Sequence, residues 1–528
     1  MKPVASANEG VSRCWLLTVL HVTSTVAVNS LADLRGQTME HVDVVIVGAG
    51  LSGIGGACHL RRACPTKSFV ILEGRERMGG TWDLFKYPGV RSDSDMYTLG
   101  YRFRPWRDNK AMADGPSILN YIRTTAAEYD VDKLIRYNHC VRRVSWSSER
   151  AQWTVEAETG KELVQFTCNF VYLCTGYYDY DSGYTPEWQG VARFRGKIVH
   201  PQKWPDDLDY AGKRVVVIGS GATAVTLVPA MAERAAHVTM LQRSPSYIVT
   251  RPAEDKLANL FRRCLPDRAA YMLARWKNVL SGTFFYNLAR NRPNVFKWMV
   301  ARGVRHELGN KYDSKDFTPP YNPWDQRLCL VPDADLFRSM REGRVSVVTD
   351  HIETFTEDGL LLKSGKHLDA DIIVTATGLV LKLFSGMQLV VDGAPVVMPK
   401  TLVYKGMMFS DVPNLAFAVG YTNASWTLKC DLIAEYICRL INHMDHQGYD
   451  VCTPRVNDSD IEEIPVLDFN SGYVLRALDS LPRQGSKPPW RLHQNYVKDL
   501  SMMRYGRVED STMEFRAASH ETEAVVGG

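Results

Sequence analysis

The sequence lacks the features that mark several classes of protein. Its 11 cysteines include no Cys-x-x-Cys pair, which argues against both a zinc site and a dithiol redox site. No run of about 18 consecutive apolar residues occurs, so a membrane-spanning helix is not expected. The net charge of +4 is too small for this length to indicate a nucleic-acid partner. These absences predict a cytoplasmic protein whose cysteines are reduced and which has no metal site and no nucleic-acid partner.

The composition is ordinary for a globular chain of more than one domain. A chain of 528 residues is longer than one hydrophobic core usually serves. Its residues are 45% hydrophobic and 23% charged. The stretch from Trp15 to Val28 is modestly apolar and follows Lys2 and Arg13, as a signal peptide would, although its threonines, serine and histidine weaken that interpretation. Met39, however, stands just ahead of a strand-like run. We therefore predict that residues 1–38 are a disordered extension upstream of the functional start.

The run VDVVIV enters a glycine-rich turn and then a helical segment, which is how a dinucleotide-binding unit begins. Gly48 permits the tight turn, Gly50 lets the backbone approach a pyrophosphate, and Gly53 lets the helix pack on the strand. The next strand, SFVILE, ends at Glu73, where a carboxylate accepts hydrogen bonds from a ribose. An acid there repels a 2′-phosphate, so this unit is predicted to bind FAD or NAD.

The same order of strand, glycine turn and helix returns after Lys213, with Gly219, Ser220 and Gly221 in the turn. Here the second strand ends at Arg243 and not at an acid. A guanidinium group suits a 2′-phosphate because it makes a two-pronged, charge-assisted contact. The second unit is therefore predicted to bind NADPH.

Two apolar strands end in Thr-Gly, at Thr175 and at Thr377, which is typical of a return from an inserted domain to a parent sheet. We predict an α/β fold of two Rossmann-like dinucleotide-binding domains, for FAD and NADPH, with a helical insertion. The predicted divisions are a first part of the FAD domain at 39–180, a linker at 181–212, an NADPH domain at 213–370 with a helical insertion at about 254–318, a second part of the FAD domain with the C-terminal region at 371–510, and a tail at 511–528.

The segment from Lys256 to Arg305 is aromatic, helical in pattern and basic, with eleven Lys or Arg residues against one acid, Asp267. Three interpretations stay open: a cap over the substrate, a basic face for anionic lipid, and a plain solvated helical insertion. Peripheral membrane contact through this insertion is therefore one predicted interaction.

The stretch from Arg77 to Tyr97 is too rich in glycine and aromatic residues for a plain loop, and it is predicted to serve a flat, polar ligand. Gly79 and Gly80 allow close backbone approach. An isoalloxazine ring would be lined by Thr81, Trp82 and Asp93. A second interpretation of Asp93 is a helix N-cap in SDSDMYTL, and both interpretations can hold together.

The stretch FRGKIVHPQKWP places Phe194, Gly196, His200 and Trp204 between the two glycine turns. With both turns, the GGTW and RSD stretches and the Thr-Gly strand ends, it resembles the class B flavoprotein monooxygenases. The resemblance covers the chain from about Val42 to its end. The Baeyer–Villiger branch of that family, which oxygenates ketones, has tryptophan at the last fingerprint position. Trp204 therefore favours that branch.

A hinge between the nucleotide domains is the role that we predict for this fingerprint. Gly196 would permit a bend, Phe194 and Trp204 would anchor its two sides, and His200 would make a polar contact that changes as NADP moves. We do not interpret His200 as a general base, because the linker is poorly placed to touch a substrate over flavin.

The resemblance assigns cofactor residues by matching position. FAD would be held by Gly48, Gly50, Ser52, Gly53, Glu73, Thr81, Trp82, Asp83, Leu84, Arg91, Ser92, Asp93 and the backbone of Val141. NADPH would be held by Gly219, Ser220, Gly221, Ala222, Thr223, Ala224, Val225, Thr226, Arg243 and Ser244. One position departs from the family, since Gln326 stands where many Baeyer–Villiger enzymes have a lysine that assists the 2′-phosphate. NADPH preference would then rest mainly on Arg243.

The activity that the resemblance implies is NADPH- and O2-dependent oxygenation through a C4a-peroxyflavin. Ketones would become esters or lactones, and thioethers and thioamides would be oxygenated at sulfur. A buried peroxide anion is costly without a cation. Arg327 matches the family's active-site arginine, and Asp93 would orient it through a carboxylate–guanidinium contact. Arg327 and Asp93 are therefore the predicted catalytic residues.

Three other functions remain open. The first is a monooxygenase restricted to sulfur or nitrogen. The second is a flavin disulfide reductase, although Cys58 and Cys64 on the first helix and loop are badly placed for its redox pair. The third is a nucleotide-binding protein without catalysis, which the presence of both Arg327 and Asp93 opposes.

Overall fold

The structure is a computed structural model that describes residues 39–326, 328–467 and 471–518. The extension predicted at 1–38, the predicted catalytic residue Arg327 and the last ten residues of the predicted tail lie outside the described residues. Within the described ranges, no helix is long and apolar enough to cross a membrane.

A nine-stranded mixed sheet forms the first domain. Its inner strand, Glu40–Val47, pairs in parallel with Phe69–Leu72 on one side and with Glu162–Leu173 on the other. The remaining strands extend the sheet in both directions, and Leu415–Phe417 pairs with the end of Glu162–Leu173. They are Ile135–Arg136, Cys140–Ser147, Gln152–Thr159, Gln388–Val391, Ala394–Pro395 and Leu415–Phe417.

The inner strand is rich in β-branched residues because both of its faces are covered. Val44 and Ile46 belong to the core shared with the helix Leu51–Ala63 and the long helix Trp426–Gln447. Val45 lies in a second core on the opposite face. Successive side chains of a strand point to opposite faces, so one run of valines and isoleucines serves two cores.

A five-stranded parallel sheet forms the second domain, in the order Val345–Thr349, His237–Gln242, Arg214–Ile218, Ile372–Thr375 and Lys197–Val199. Two of these strands differ from the predicted divisions. Lys197–Val199 lies within the predicted linker at 181–212, yet it is the edge strand of this sheet. Ile372–Thr375 lies within the predicted second part of the FAD domain at 371–510, yet it also belongs here.

The two chain segments that connect the domains pair with each other. After Thr175 the chain leaves the first sheet through Tyr178–Gly183, and after Thr377 it returns through Leu379–Leu381. These segments form a two-stranded antiparallel ribbon. The Thr-Gly strand ends predicted from the sequence therefore mark the exits of two different sheets, and the chain returns to its parent sheet only after the second exit.

The predicted helical insertion at about 254–318 contains three long helices, Lys256–Cys264, Asp267–Asn291 and Pro293–Leu308. The second of them carries Tyr271 into the core of the first domain, whereas the third carries Val304 into the core of the second. The insertion is therefore packed against both domains.

The tail predicted at 511–528 also differs from the structure, because Met513–Arg516 is a strand that pairs with Val451–Pro454. A three-stranded antiparallel sheet contains Ile352–Phe355, Gly359–Leu362 and His367–Asp369. Further two-stranded pairs are Ile248–Arg251 with Cys329–Pro332, Val403–Tyr404 with Met408–Phe409, and Glu463–Pro465 with Arg483–Gly485. The other α-helices are Thr81–Leu84, Met96–Leu99, Gly115–Glu128, Ala222–Met231, Ser314–Phe317, Asp335–Arg341, Gly472–Leu475 and Tyr496–Leu500.

Candidate functional site

The first glycine turn has the close backbone contacts that its sequence predicts. Gly48 has a φ of +104°, and a Cβ at that position would lie 2.6 Å from the Cys174 carbonyl oxygen. A Cβ at Gly53 would lie 1.9 Å from the Gly48 carbonyl oxygen. The helix that follows begins at Leu51 with no side-chain cap, so its first N–H groups are available to an anion.

Glu73 is buried beneath this turn and holds it in place. Its carboxylate accepts hydrogen bonds from the backbone N–H groups of Ala49 (2.7 Å) and Arg75 (3.0 Å). Burial raises the pKa of Glu73, and the two hydrogen bonds oppose that rise. The contact of Glu73 with a ribose stays a prediction. Its contact with the glycine turn was not predicted from the sequence.

The second glycine turn repeats this geometry. Gly219 has a φ of +140°, and a Cβ there would lie 2.3 Å from the Ala376 carbonyl oxygen. The helix Ala222–Met231 follows Gly221 and also lacks a side-chain cap. The Ser220 hydroxyl donates to the Ser244 carbonyl oxygen at 3.1 Å, which ties the turn to the end of the next strand. Both helix N-termini are therefore open to phosphate groups.

One cavity of about 1060 Å³ lies between the two turns. Most of the predicted site residues line it, and they come from both domains. The lining includes Gly50, Ser52, Thr81, Trp82, Arg91, Ser92, Asp93, His200, Gly219, Ser220, Gly221, Ala222, Thr223, Thr226, Arg243 and Ser244. The predicted residues that the structure describes outside this lining are Gly48, Gly53, Glu73, Asp83, Leu84, Val141, Phe194, Gly196, Trp204, Ala224 and Val225.

Aromatic side chains form much of one wall of the cavity. Tyr177 stacks on Trp426 with ring centroids 5.1 Å apart, and Tyr178 stacks on Tyr180 at the same separation. The hydroxyl groups of Thr81 and Tyr178 are hydrogen-bonded at 2.6 Å. The sequence analysis missed this wall, although the GYYDYD stretch directly after the first Thr-Gly was a signal for it.

A loop of the first domain reaches the glycine-turn helix of the second. The Tyr87 hydroxyl is hydrogen-bonded to the side chain of Thr223. Gly89 has a φ of +76°, and a Cβ there would lie 2.6 Å from the Cβ of Ala230. The loop therefore lies directly against this helix, without intervening side chains at Gly89.

Arg91 is the next contact between the domains. One of its terminal nitrogens lies 2.5 Å from the Asp335 carboxylate of the second domain. The Nε atom and the other terminal nitrogen are buried and have no hydrogen-bond partner among the described residues. Arg91 also lines the cavity, but an anion bound there would reach these two nitrogens only after a local rearrangement.

Two acidic residues of the predicted FAD loop have positions that the sequence did not indicate. Asp83 is buried and accepts from Arg75 at 2.9 Å and from Arg77 at 3.2 Å, so its side chain serves an ion-pair cluster. The N-cap of the helix Met96–Leu99 is Asp95, which accepts from the Thr98 N–H. The predicted N-cap role of Asp93 is therefore wrong, because Asp95 satisfies those donors and Asp93 lines the cavity.

The segment around Arg327 is built from the second domain and the insertion. Tyr321 and Gln326 line the cavity on the chain just before Arg327. Asp325 pairs with Arg290 of the insertion at 2.9 Å. Cys329 begins the strand after it and also lines the cavity. The neighbours of Arg327 therefore lie at the same cavity as Asp93, and its catalytic role stays a prediction.

The fingerprint residues belong to the second domain and its connection to the first. Phe194 is buried against Phe355, with ring centroids 6.4 Å apart. A Cβ at Gly196 would lie 2.4 Å from the Asp371 carbonyl oxygen, and the backbone there is not left-handed. The missing side chain of Gly196 therefore allows this close approach. The chain bends at Gly196, directly before the strand Lys197–Val199, and the hinge role of that bend stays a prediction. Trp204 packs against the second core.

His200 contacts the ribbon that joins the domains. A Cβ at Gly183 of that ribbon would lie 1.9 Å from the His200 ring. The Nδ1 atom accepts from the Gln202 N–H at 3.2 Å, and the ring also interacts with the backbone of Gly378, directly after the second Thr-Gly threonine. Burial lowers the pKa of His200. These contacts are compatible with the predicted hinge role, which stays a prediction.

Arg243 is exposed at the edge of the cavity, next to a second cation that the sequence analysis missed. Its strand pairs in register with the neighbouring strand, Gln242 against Thr349, so the residues after both strands lie side by side. The Lys363 N–H donates to the carbonyl oxygen of His351, two residues after Thr349, at 2.9 Å. Lys363 and Arg243 therefore line the same edge. Only the strand pairing shows this, because they are far apart in sequence.

A buried ion pair in the cavity lining was also not predicted from the sequence. Lys429 lies 2.7 Å from the Asp499 carboxylate, and the Tyr421 hydroxyl donates to the same carboxylate at 2.7 Å. Burial lowers the pKa of Lys429, and the charge of Asp499 opposes that shift. All three residues line the cavity, so a charged network lies within an otherwise aromatic wall.

The fold and the site define a class of protein. Two glycine-turn units, one with an acid and one with an arginine at the second strand, open on a single cavity. An aromatic wall and a glycine-rich loop lie between them. This is the arrangement of a flavoprotein that binds a second, nicotinamide dinucleotide.

Comparison with known proteins identifies the family. Residues 108–420 match the flavin-binding monooxygenase-like family, and residues 46–111 match an NAD(P)-binding Rossmann-like domain. The FAD-containing monooxygenase EthA of Mycobacterium tuberculosis is 55% identical over 90% of this chain and 98% of its own. The putative FAD-containing monooxygenase MymA of the same species is 52% identical over 92% and 99%. The chain belongs to the flavin-binding monooxygenase-like family.

A solved structure supports the fold. An oxidized steroid monooxygenase bound to NADP superposes with a TM-score of 0.73 at 21% identity, covering 90% of this chain and all of that one. The predicted family, the α/β fold and the enzyme class, an FAD-containing monooxygenase, are confirmed, and the findings agree with FAD and NADPH as cofactors. The individual site residues stay predictions.

Proposed function

We propose that the protein is an NADPH- and O2-dependent FAD monooxygenase that converts ketones to esters or lactones and also oxygenates sulfur. The observation that carries this proposal is the placement of both dinucleotide turns on one cavity, with the fingerprint residue His200 in the lining and Trp204 in the second core. Sulfur substrates would include thioethers and thioamides, such as ethionamide-like prodrugs.

The first unit fits FAD. Leu51 and Ser52 present uncapped N–H groups beside Gly50, where the absence of a side chain leaves room for a pyrophosphate. Thr81 and Trp82 line the cavity beyond it. The bound flavin would supply electron transfer from NADPH to oxygen, and the protein would supply binding, orientation and electrostatics.

The second unit fits NADPH. Its helix N-terminus, from Gly221 to Thr223, would take the pyrophosphate. Arg243 and Lys363 would share the 2′-phosphate. Lys363 would then take the role of the family lysine whose position Gln326 occupies in this chain. Asp350 also lines this edge, and hydrogen bonds from Ser364 and from the His351 N–H lower the pKa of its carboxyl group. Arg243 and Lys363 would therefore have to offset the repulsion between this carboxylate and the phosphate.

The reacting end of the cavity would lie near Asp93. Arg327 would supply a permanent positive charge to a developing anion, and Asp93 would orient its guanidinium. The aromatic wall, with Tyr177 and Trp426, would exclude water and favour an apolar substrate.

The deciding experiment is aerobic NADPH oxidation with a panel of simple methyl ketones and thioethers, with products identified by mass. Ester formation that depends on NADPH and oxygen is the expected result. Sulfoxide without any ester would favour a monooxygenase restricted to sulfur or nitrogen, and no oxygen consumption would favour a nucleotide-binding protein.

A flavin disulfide reductase is opposed by the positions of Cys58 and Cys64, the two cysteines considered for its redox pair. Cys58 and Cys64 are both buried in the first core, outside the cavity lining. Burial raises the pKa of Cys58 to about 12, which leaves little thiolate for exchange chemistry. The cysteines within the described ranges are free thiols, which supports a reducing, cytoplasmic location.

The partners of this function are a small-molecule substrate and O2. The predicted peripheral membrane contact of the basic insertion is a separate part of the proposal, and the surface that would make it is described below.

A further inference from the structure

Exposed apolar side chains are concentrated on the helical insertion. Of the 19 large hydrophobic residues that the described chain leaves exposed, ten lie between residues 257 and 299. Single exposed hydrophobics are ordinary, but a cluster of this size marks an interaction surface. They are Leu257, Leu260, Leu265, Leu273, Leu280, Phe284, Phe285, Val295, Trp298 and Met299; we call them the apolar stripe.

The middle of the apolar stripe faces away from the protein. Leu273, Leu280 and Phe284 are 49%, 57% and 62% exposed on the helix Asp267–Asn291. Their spacing of seven and four residues places them on one helical face. Leu273 is two residues from the buried Tyr271, which is about 200° around the helix. The exposed apolar face is therefore separate from the buried face of the same helix.

The two neighbouring helices extend the stripe. Leu257 and Leu260 are exposed three residues apart on Lys256–Cys264. Val295, Trp298 and Met299 have the i, i+3, i+4 spacing of one face on the helix Pro293–Leu308, and Trp298 is 61% exposed. Each of these helices packs against Asp267–Asn291.

The charges around the stripe are almost all positive. The acid Asp267 is paired with Arg107 at 3.0 Å. Arg302 stands over the Trp298 ring, with its guanidinium carbon 5.5 Å from the ring centroid. Such a surface would repel a second copy of itself, whereas an anionic bilayer complements both its charge and its apolar residues. The exposed cations of the insertion are Lys256, Arg263, Arg268, Arg290, Arg292, Arg302 and Arg305.

We propose that the apolar stripe and its surrounding cations dock the protein on an anionic lipid surface. The Leu, Phe and Trp side chains enter the interfacial region, and the Arg and Lys side chains contact the headgroups. The stripe residues lie outside the cavity lining, so docking does not depend on the oxygenation chemistry. A failure of either proposal leaves the other standing.

Sedimentation with vesicles tests this docking. The FAD-loaded full chain is mixed with vesicles of phosphatidylcholine alone or with an equal part of phosphatidylglycerol. We expect binding only to the anionic vesicles, and weaker binding as salt rises. Replacing Leu280 and Phe284 together by serine should weaken binding on the order of tenfold. Replacing Arg263 or Arg302 by serine should weaken it about fivefold each.

The matched control is Val397→Ser, because Val397 is 50% exposed but lies outside the insertion. This variant should bind the anionic vesicles as the parent protein does. Flavin content and thermal unfolding confirm that each variant is folded. Binding that is absent, equal on neutral vesicles, or unchanged by the Leu280 and Phe284 substitutions would overturn the proposal. Analytical ultracentrifugation completes the test, because a dimer that these substitutions dissociate would assign the stripe to a second copy instead.

Discussion

Arg327 and Asp93 are the residues on which the predicted chemistry depends. Asp93 lines the cavity, and Gln326 and Cys329 place the chain around Arg327 at the same cavity. We expect Arg327→Ala to leave flavin reduction by NADPH measurable in stopped-flow absorbance but to abolish oxygenated product. The reason is that a developing anion in a buried site would lose its cation. A normal yield of ester from Arg327→Ala would refute the assignment.

Arg243 and Lys363 give a second prediction for single residues. Replacing either by alanine should raise the KM for NADPH about tenfold, because each would make the proposed charge-assisted contact with the 2′-phosphate. The KM for NADH should not change, since NADH lacks that group. Lys366→Ala is the control, because Lys366 is exposed on the same hairpin. Equal effects on both nucleotides would rule out a shared 2′-phosphate contact.

Single residues differ in how far the sequence reveals them. Gly48 and Gly219 are predictable because a local turn requires a backbone that other residues rarely adopt. Arg91 and Lys363 are not, because the residues that give them their roles lie far along the chain. Arg91 pairs with Asp335, and Lys363 lies at the same edge as Arg243 only because two strands pair. Long-range contacts of this kind leave no local pattern.

Arg275 is one of the buried side chains that anchor the insertion helix Asp267–Asn291. Arg275 donates to the carbonyl oxygens of Tyr97 at 2.9 Å and Gly100 at 2.8 Å, and it pairs with the buried carboxylate of Asp431 at 3.3 Å. We expect Arg275→Met to lower the free energy of unfolding by about 3–5 kcal/mol, because Asp431 and two carbonyls lose a buried partner. Urea titration measures this change.

The control for this element is Arg268→Met, an exposed position on the same helix that should change stability by less than about 0.5 kcal/mol. Hydrogen exchange of the helix gives a second readout. Faster exchange over Asp267–Asn291 in Arg275→Met, with the sheets unchanged, is expected. Equal stability of the two variants would contradict the anchoring role.

The same element gives a prediction of pH dependence. Burial raises the pKa of Asp431, but the hydrogen bond from His59 and the charge of Arg275 outweigh it, so the folded pKa lies below the usual 3.8. The stability that Asp431 contributes is therefore complete above 3.8 and is lost as the pH falls through the lower folded value. Urea titrations from about pH 5 downward should show a steeper loss for the parent than for Asp431→Asn.

The elements themselves were predicted unevenly. Both strand–turn–helix units and the helical insertion follow from local patterns of apolar residues and glycines. The strand Lys197–Val199 was interpreted as a linker because its three residues have no pattern of their own. Pairing with Ile372–Val374 makes it a strand. The placement of Ile372–Thr375 in the second sheet depends on that same long-range pairing.

At the scale of the whole molecule, the Arg91–Asp335 pair is one of the contacts that hold the two domains against each other. We expect Asp335→Asn to reduce the fraction of NADPH oxidation that yields product, because the two cofactor sites would no longer be held in register. Oxygen uptake and product formation, measured together, check this. Arg338→Gln, exposed on the same helix, should leave the ratio unchanged. An unchanged ratio in Asp335→Asn would show that the pair serves stability alone.

The ribbon of Tyr178–Gly183 and Leu379–Leu381 has a consequence for how ligands enter. Both covalent crossings between the domains run through this one ribbon, and Tyr178 and Leu381 line the cavity. The insertion helix makes a second, separate attachment through Arg275. A second attachment limits how far the predicted hinge can open the domains. NADPH exchange and substrate entry would then proceed by displacement of cavity loops, so enzyme cross-linked across the two domains would still turn over.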